Sequence, residues 1–291
     1  MKPKTVLTIG KFEGIHLGHR LLLEEVAKRA KEKNLVPTVI VFEPHPFIHL
    51  RDKNYKLIFT PNERDNLLKS IGIKNIIKLE FTKAFTNKTA TEFCKEIFEN
   101  FNAQEVIIGE NFHFGKNREG TPSLLKNFAK NYNANVTSIP IKNTDLSTSS
   151  IRDFLEKNEL SKACDLLGFP FFVAGEVTKG RQLGRVLGFP TLNIYPAKNK
   201  FLPAFGVYET ITNFSDGKKL KGLTNVGLRP TVNNDSTVVS VETHIPSLIA
   251  KPDEMYGQNI KVEFIRFIRK EIKFNNTDEL KNQIQIDLKE F

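Results

Sequence analysis

The sequence predicts an α/β fold in two parts, an N-terminal domain built on a parallel sheet and a C-terminal antiparallel β domain, barrel or sandwich, that ends in a helix. Three observations carry that prediction. Apolar, β-branched runs alternate with helical spacing over the first half; after residue 170 short strand-like runs separated by Gly, Pro, Asn and Asp take over; and 291 residues exceed what one hydrophobic core usually organises. The junction falls in SKACDLLGFPF (161–171), dividing residues 1–165 from 166–291.

In the first part the strands are VLTIG (6–10), VPTVIVF (36–42), NIIKLEF (75–81), EVIIG (105–109) and NVTSIP (135–140). Helices fill most of the intervals, and two starts are legible. Thr60-Pro61-Asn62-Glu63 joins a capping box to a proline at the first helical position, and Thr89-Ala90-Thr91-Glu92 repeats the box. A last helix of this part begins near Ser149. In the second part the strands are FFVAGEV, TLNIYP, GVYETITN, LKGLTNVG, VVSVETHI and IKVEFIRFI, and Thr277 to Phe291 reads as one helix packed on them.

Composition narrows the function. With 40% hydrophobic residues, 24 Phe and no Trp, no apolar run approaches the roughly 18 residues that span a bilayer. The N-terminal MKPKTVLTIG lacks a signal peptide's apolar core, so a soluble, cytoplasmic chain is expected. Cys94 and Cys164 stand alone without a CxxC partner, as buried helix residues, which gives no support to a metal site or disulfide framework. The net charge of +10 is scattered among 33 acids and forms no basic block, so it suits phosphorylated small molecules at least as well as nucleic acid.

The chemistry concentrates at strand ends. In GKFEGIHLGH (10–19), Gly10 and Gly14 allow tight turns and Gly18 lies between two histidines as a helix begins. A helix N-terminus suits an anion, and His16 and His19, three apart, can both donate to one phosphate. Two surface histidines are the plain alternative. STSSIR (147–152) offers the hydroxyls of Ser147, Thr148 and Ser149 at a helix start followed by Arg152, a second anion site or an ordinary Ser/Thr cap. FEPHP (42–46) places His45 on a stiff loop as a ligand contact or a loop histidine. In IGENFHFG (108–115) Asn111 could hydrogen-bond a phosphate or another polar ligand edge, whereas Phe112 and Phe114 are packing residues. In GRVLGFPTLN (184–193), Gly184 and Gly188 let backbone approach a phosphate, and Thr191 and Asn193 share one face if the segment is extended, as oxygen ligands suited to Mg²⁺. Glu242 alternates with Val241 and Thr243, as a carboxylate aimed at a ligand or an exposed strand glutamate.

Together these stretches resemble a known family. HLGH is similar to the nucleotide-binding signature of the adenylyltransferase superfamily. GKFEGIHLGH, FEPHP, IGENFHFG, STSSIR, GRVLGFPTLN, GVY, NVGLRPT and VETHI, in that order, resemble the bacterial riboflavin kinase/FAD synthetase family over nearly the whole chain. The resemblance implies a Rossmann-like nucleotidyltransferase domain with a parallel sheet, then an antiparallel β-barrel riboflavin kinase domain with a terminal helix. It implies phosphorylation of riboflavin to FMN, then adenylylation of FMN to FAD, with ATP as co-substrate and Mg²⁺ as cofactor. His16, His19 and Arg152 would serve the adenylyl transfer, with Gly10, Phe12, Gly14, Gly18, His45, Asn111, Ser147, Thr148 and Ser149 around the nucleotide. Glu242 would be the kinase base, with Gly184, Gly188 and Pro190 at the nucleotide and Thr191 and Asn193 at the metal. The partners implied are riboflavin, FMN, FAD and ATP, with no nucleic acid, no membrane, and at most a transient homo-oligomer.

The chain also departs from the family pattern. Glu13 stands where the family usually has aspartate and Lys11 where it often has asparagine; STSSIR replaces the commoner SSTxIR; and Pro246, Ser247 and Leu248 replace an acidic-aromatic pair after His244. These changes motivate a narrower reading in which one activity is lost. A non-enzymatic reading, a basic nucleic-acid-binding or flavin-sensing module, rests on charge alone and is opposed by the clustering of anion-site motifs. Arg229, in NVGLRPT, is a further residue that could lie near phosphate.

Overall fold

A computed structural model describes residues 3–50, 52–141, 146–180, 182–230 and 237–290. By packing, the chain divides into two compact units, Met1–Thr148 and Ser149–Phe291. The side chain of Arg229, and Thr231 in the same motif, lie outside the described residues.

The first unit runs β1 (Thr5–Ile9), α1 (Leu17–Lys33), β2 (Val36–Phe42), α2 (Pro46–Leu50), α3 (Pro61–Ser70), β3 (Asn75–Leu79), α4 (Lys83–Thr86), α5 (Ala90–Lys95), β4 (Ala103–Gly109), α6 (Pro122–Ala129) and β5 (Asn135–Ile139). Its five strands are all parallel in the order β3-β2-β1-β4-β5, the doubly wound arrangement. Alternation along the strands feeds two cores. Val6, Val39, Val41 and Ile107 pack with Leu22, Leu23 and Val26 of α1; Leu7, Ile9, Ile40, Val106 and Ile108 pack with Phe93, Ile97 and Leu125 on the opposite face. Both capping boxes form, at Thr60–Glu63 and Thr89–Glu92. The strand order reverses between β1 and β4, which puts the topological switch point, where open α/β sheets bind ligands, at the ends of those two strands near Gly10 and Gly109.

The second unit contains α7 (Thr148–Glu156, whose first residue still counts with the first unit), α8 (Leu160–Leu167), β6 (Phe172–Glu176), α9 (Leu183–Leu187), β7 (Thr191–Ile194), β8 (Gly206–Asn213), β9 (Lys219–Pro230), β10 (Thr237–His244), β11 (Asn259–Arg269) and α10 (Thr277–Lys289). The sheet is antiparallel in the order β6-β11-β8-β9-β10-β7. A bridge from Thr178 to Asn193 (N–H to O 2.8 Å) joins its two edges, which makes it a barrel rather than a sandwich. The interior holds Tyr208, Val226, Val241 and Phe264 together with a hydroxyl ladder. Thr243 and Thr224 are 2.8 Å apart, Thr224 and Thr210 2.7 Å, and Thr210 donates to Gly222 O at 2.9 Å, so these buried hydroxyls are satisfied. Helices α7 and α8 pack with this unit: Ala204 N–H donates to Leu155 O at 3.1 Å and the Tyr208 hydroxyl to Asn158 Oδ1 at 3.1 Å. The division by packing thus precedes α7, whereas the sequence junction follows it.

Cys94 in α5 is fully buried, and burial pushes its thiol up to about 12; Cys164 in α8 is half-buried, not fully buried as expected, and its Sγ accepts from Phe171 N–H at 3.4 Å. Among the described residues no cluster of three or more His, Cys, Asp or Glu is placed to hold a metal, and no helix is long and apolar enough to cross a membrane.

Candidate functional site

In the first unit, the loop Gly10–His16 leaves β1 at the switch point and runs into α1. Its turns are made differently from the sequence expectation. The left-handed residues are Phe12 (φ 47°) and Ile15 (φ 44°), not Gly10 or Gly14. Both side chains are buried, at 1% and 0% exposure, so core packing holds a backbone that costs of order 1–3 kcal/mol per residue. Gly10 and Gly18 are required for close approach instead. A Cβ at Gly10 would stand 2.9 Å from the Phe12 ring, and one at Gly18 3.0 Å from Ile141 and 3.2 Å from the His16 ring.

The histidines come together as predicted. His16 caps α1, its Nδ1 accepting from His19 N–H at 3.4 Å, and the two rings stack with centroids 3.8 Å apart, the edge of Phe12 meeting His19 at 5.1 Å. Because Nδ1 of His16 accepts, its proton sits on Nε2. Burial pushes His16 down to about 4; burial first, then His16 and Lys11, hold His19 well below the ordinary range. At neutral pH the pair therefore offers neutral N–H donors beside the positive end of the α1 dipole. The unfolded imidazole titrates near 6.5. Between that pH and about 4 the unfolded chain binds a proton that the folded unit excludes, so stability is complete above 6.5 and falls as the pH drops through the window. Calorimetry of the full chain should show a transition moving down from pH 6.5 to 4.5, with a shallower slope in His16→Gln.

His45 is buried in a different set of contacts. Its Nδ1 accepts from Phe47 N–H (3.3 Å), its Nε2 lies 3.4 Å from Glu13 Oε2, and its ring stacks on Tyr55. Glu13, 4% exposed, also accepts from the Tyr55 hydroxyl (3.0 Å) and Ile58 N–H (3.1 Å), while Lys11 Nζ lies 4.1 Å over the Phe47 ring. Both departures from the family pattern thus have internal partners that tie this loop to the one after β2. Asn111 is exposed just past the end of β4; Phe114 is buried and Phe112 stacks on it. Ser147 and Thr148 fall in the first unit, Ser149 and Arg152 in the second, where the Arg152 guanidinium lies 4.7 Å over the Phe201 ring.

The second unit carries a pocket of about 400 Å³ on the outer face of its barrel. Four positions of one rung of the sheet, Glu242, Asn225, Val207 and Arg269, line it together with Ser240 and His244. Asn193, Glu242, Asn225, Val207 and Arg269 stand directly opposite one another across five strands and therefore on one face, while Val241 and Thr243 point into the barrel. Glu242 Oε1 accepts from the Ser240 hydroxyl at 3.0 Å. His244 lines the same pocket and takes a structural part, its Nδ1 bonded to Pro190 O at 2.9 Å; burial lowers its pKa.

Thr191 and Asn193 share a face of β7, as expected, with Asn193 Nδ2 donating to Thr191 Oγ1 at 3.3 Å. Asn193 is 4% exposed and its Oδ1 has no hydrogen-bond partner among the described residues. An orphaned hard oxygen beside a hydroxyl fits Mg²⁺ completed by nucleotide phosphates and water. Gly184 lies in the short helix α9, its oxygen accepting from Phe189 N–H at 2.7 Å, and Gly188 ends it at φ 90°. Arg269 and Glu271 also line the pocket, and sequence reasoning missed the contribution of α10, whose Leu280, Ile284 and Asp287 do so too. A helical period in the tail was the one available signal. The loop at Pro246–Leu248 does not line it.

Comparison with known proteins gives each half of the chain its own family match. The family model for FAD synthetase matches residues 1–152 and that for riboflavin kinase residues 167–291. A bifunctional riboflavin kinase/FMN adenylyltransferase of Buchnera aphidicola from Schizaphis graminum is 34% identical, over 99% of this chain and 93% of that one. The Escherichia coli K12 protein of the same description is 33% identical, over 97% and 90%. A crystal structure from Streptococcus pneumoniae, described as a macrolide-efflux protein, superposes with a TM-score of 0.83 at 28% identity, covering 99% of this chain and 94% of the other.

Proposed function

From the premise that this chain belongs to the bifunctional riboflavin kinase/FMN adenylyltransferase family, we propose how its residues divide the two reactions. The protein phosphorylates riboflavin to FMN with ATP and transfers AMP from ATP to FMN, giving FAD and pyrophosphate.

In the kinase step the ribityl 5′-hydroxyl attacks the γ-phosphorus. The new O–P bond forms as the bond to the β-phosphate oxygen breaks, ADP leaves with that electron pair, and Glu242 takes the hydroxyl proton. Thr191 and Asn193 would hold Mg²⁺, which when bound would neutralise charge on the nucleotide phosphates, and Gly184, Gly188 and Pro190 shape the nucleotide side. The observation that carries this reading is Glu242 on the pocket rung, one strand from the orphaned oxygen of Asn193.

In the adenylyl step an FMN phosphate oxygen attacks the α-phosphorus and pyrophosphate departs, with no proton to be moved. His16 and His19 donate to the phosphates at the α1 N-terminus, and Arg152 with the hydroxyls of Ser147, Thr148 and Ser149 grips the outgoing pyrophosphate. Gly10, Phe12, Gly14 and Gly18 shape the nucleotide loop. Asn111 serves a phosphate or the flavin edge, and His45, oriented by its buried contact with Glu13, lies at the nucleotide. The functional division keeps the boundary at 165/166, the +10 charge serves phosphorylated substrates, and the working compartment is the cytoplasm, with self-association at most transient.

A chromatographic time course from riboflavin, ATP and Mg²⁺ tests the assignment. Wild type should accumulate FMN before FAD. Thr191→Ala should raise the MgATP requirement of the first step roughly tenfold and leave FAD formation from added FMN unchanged. Equal loss in both steps would refute the Thr191 role.

A further inference from the structure

We propose that Asp287 is a positioning residue for riboflavin phosphorylation. By clamping Arg269 it fixes the terminal helix as the apolar wall of the pocket and so sets the affinity for riboflavin. The proposal rests on reading the pocket around Glu242 as the riboflavin site.

The attachment of α10 is unusual for an amphipathic helix, because its one buried residue is an acid. Asp287 is 2% exposed, whereas Leu280, Ile284 and Leu288 are only half-buried and Ile286 is exposed. No buried apolar anchor along the helix replaces the usual hydrophobic attachment. Polar contacts do that work. Arg269 Nε lies 2.9 and 3.1 Å from the two Asp287 oxygens and its Nη2 2.7 Å from Oδ2, a forked pair; Gln283 adds a bond to Oδ1 at 2.9 Å, and Arg266 Nη2 donates to Glu290 O at 2.7 Å.

The sheet delivers Arg269 to that place by irregularity. Two register shifts in β11, between Phe264 and Arg266 and between Phe267 and Arg269, bring Arg269 opposite Val207, onto the rung that holds Glu242. One residue thus belongs to the catalytic rung and, through Asp287, to the helix. Ile272, Phe274, Leu280 and Ile284 line the same pocket as Glu242 and Ser240. Their half-exposed apolar surface is what a fused aromatic ring system would cover, and its position depends on the clamp. Asp287 also matches the charge of Arg269, the one arginine or lysine among the described pocket residues.

The test uses the full chain. Asp287→Ala, Asp287→Asn, Asp287→Glu and Arg269→Lys are assayed for FMN formation with riboflavin varied at saturating MgATP and the reverse, and the same preparations for FAD formation from FMN. Asp287→Ala should raise KM for riboflavin roughly tenfold, with kcat, KM for MgATP and FAD formation within about twofold of wild type. Asp287→Glu should recover most of the loss, and Arg269→Lys should fall between, because an ammonium cannot reproduce the fork. Should Asp287→Ala fail to fold, Asp287→Asn is judged by the same criteria. An unchanged KM for riboflavin, or a parallel change in kcat and both KM values, overturns the proposal. Glu242→Gln run alongside separates the layers: if it makes FMN normally, the pocket reading and this proposal both fall; if it is inactive while Asp287→Ala keeps a normal KM, only the clamp falls.

Discussion

Replacing Glu242 with glutamine will reduce FMN formation by about two to four orders of magnitude and leave FAD formation from supplied FMN intact. The substitution keeps the volume of the side chain and its place opposite Asn193 and Asn225, so the barrel is undisturbed. The proton acceptor is lost. A carboxylate is far too weak a base to ionise an alcohol outright, but phosphoryl transfer passes through a loose transition state in which the proton leaves late, so orientation governs the rate. The Ser240 hydroxyl supplies that orientation by donating to Glu242 Oε1 at 3.0 Å. Separate initial-rate assays of the two half-reactions decide the point, and a variant that phosphorylates riboflavin at more than a tenth of the wild-type rate would remove Glu242 from the chemistry.

His19→Ala will do the reverse, cutting FAD formation by about two to three orders of magnitude while FMN formation continues. His19 is the better probe of the pair. The ring of His16 caps α1 by accepting from the backbone N–H of residue 19, a contact that alanine at 19 preserves. His16→Ala would remove that cap as well, at a cost of about 1 kcal/mol, and so confuse stability with catalysis. Loss of both activities together in folded His19→Ala would show that the two sites are not independent.

The features that proved legible in the sequence are those set by local spacing. Strand alternation, the capping boxes at Thr60 and Thr89, and a glycine-histidine loop closing the first strand each follow from a few neighbouring residues. What was illegible depends on residues distant in sequence. Left-handed backbone at Phe12 and Ile15 is enforced by burial of their side chains, not by glycine. The role of Glu13 needs Tyr55, Ile58 and His45, more than thirty residues away in the chain, to be seen as neighbours. Likewise Asp287 looks like one more charge on a solvated helix until two register shifts in β11 carry Arg269 to it.

The rung from Asn193 to Arg269 also governs how this chain can change over evolutionary time. Each of five strands contributes a single position, and a strand shifted by one residue turns that position from the pocket into the hydroxyl-lined interior of the barrel. Substitutions can drift at many points of the second unit, but single-residue insertions and deletions are confined to its connecting loops. Length variation among its relatives should therefore concentrate between the strands, leaving the spacing within each one fixed.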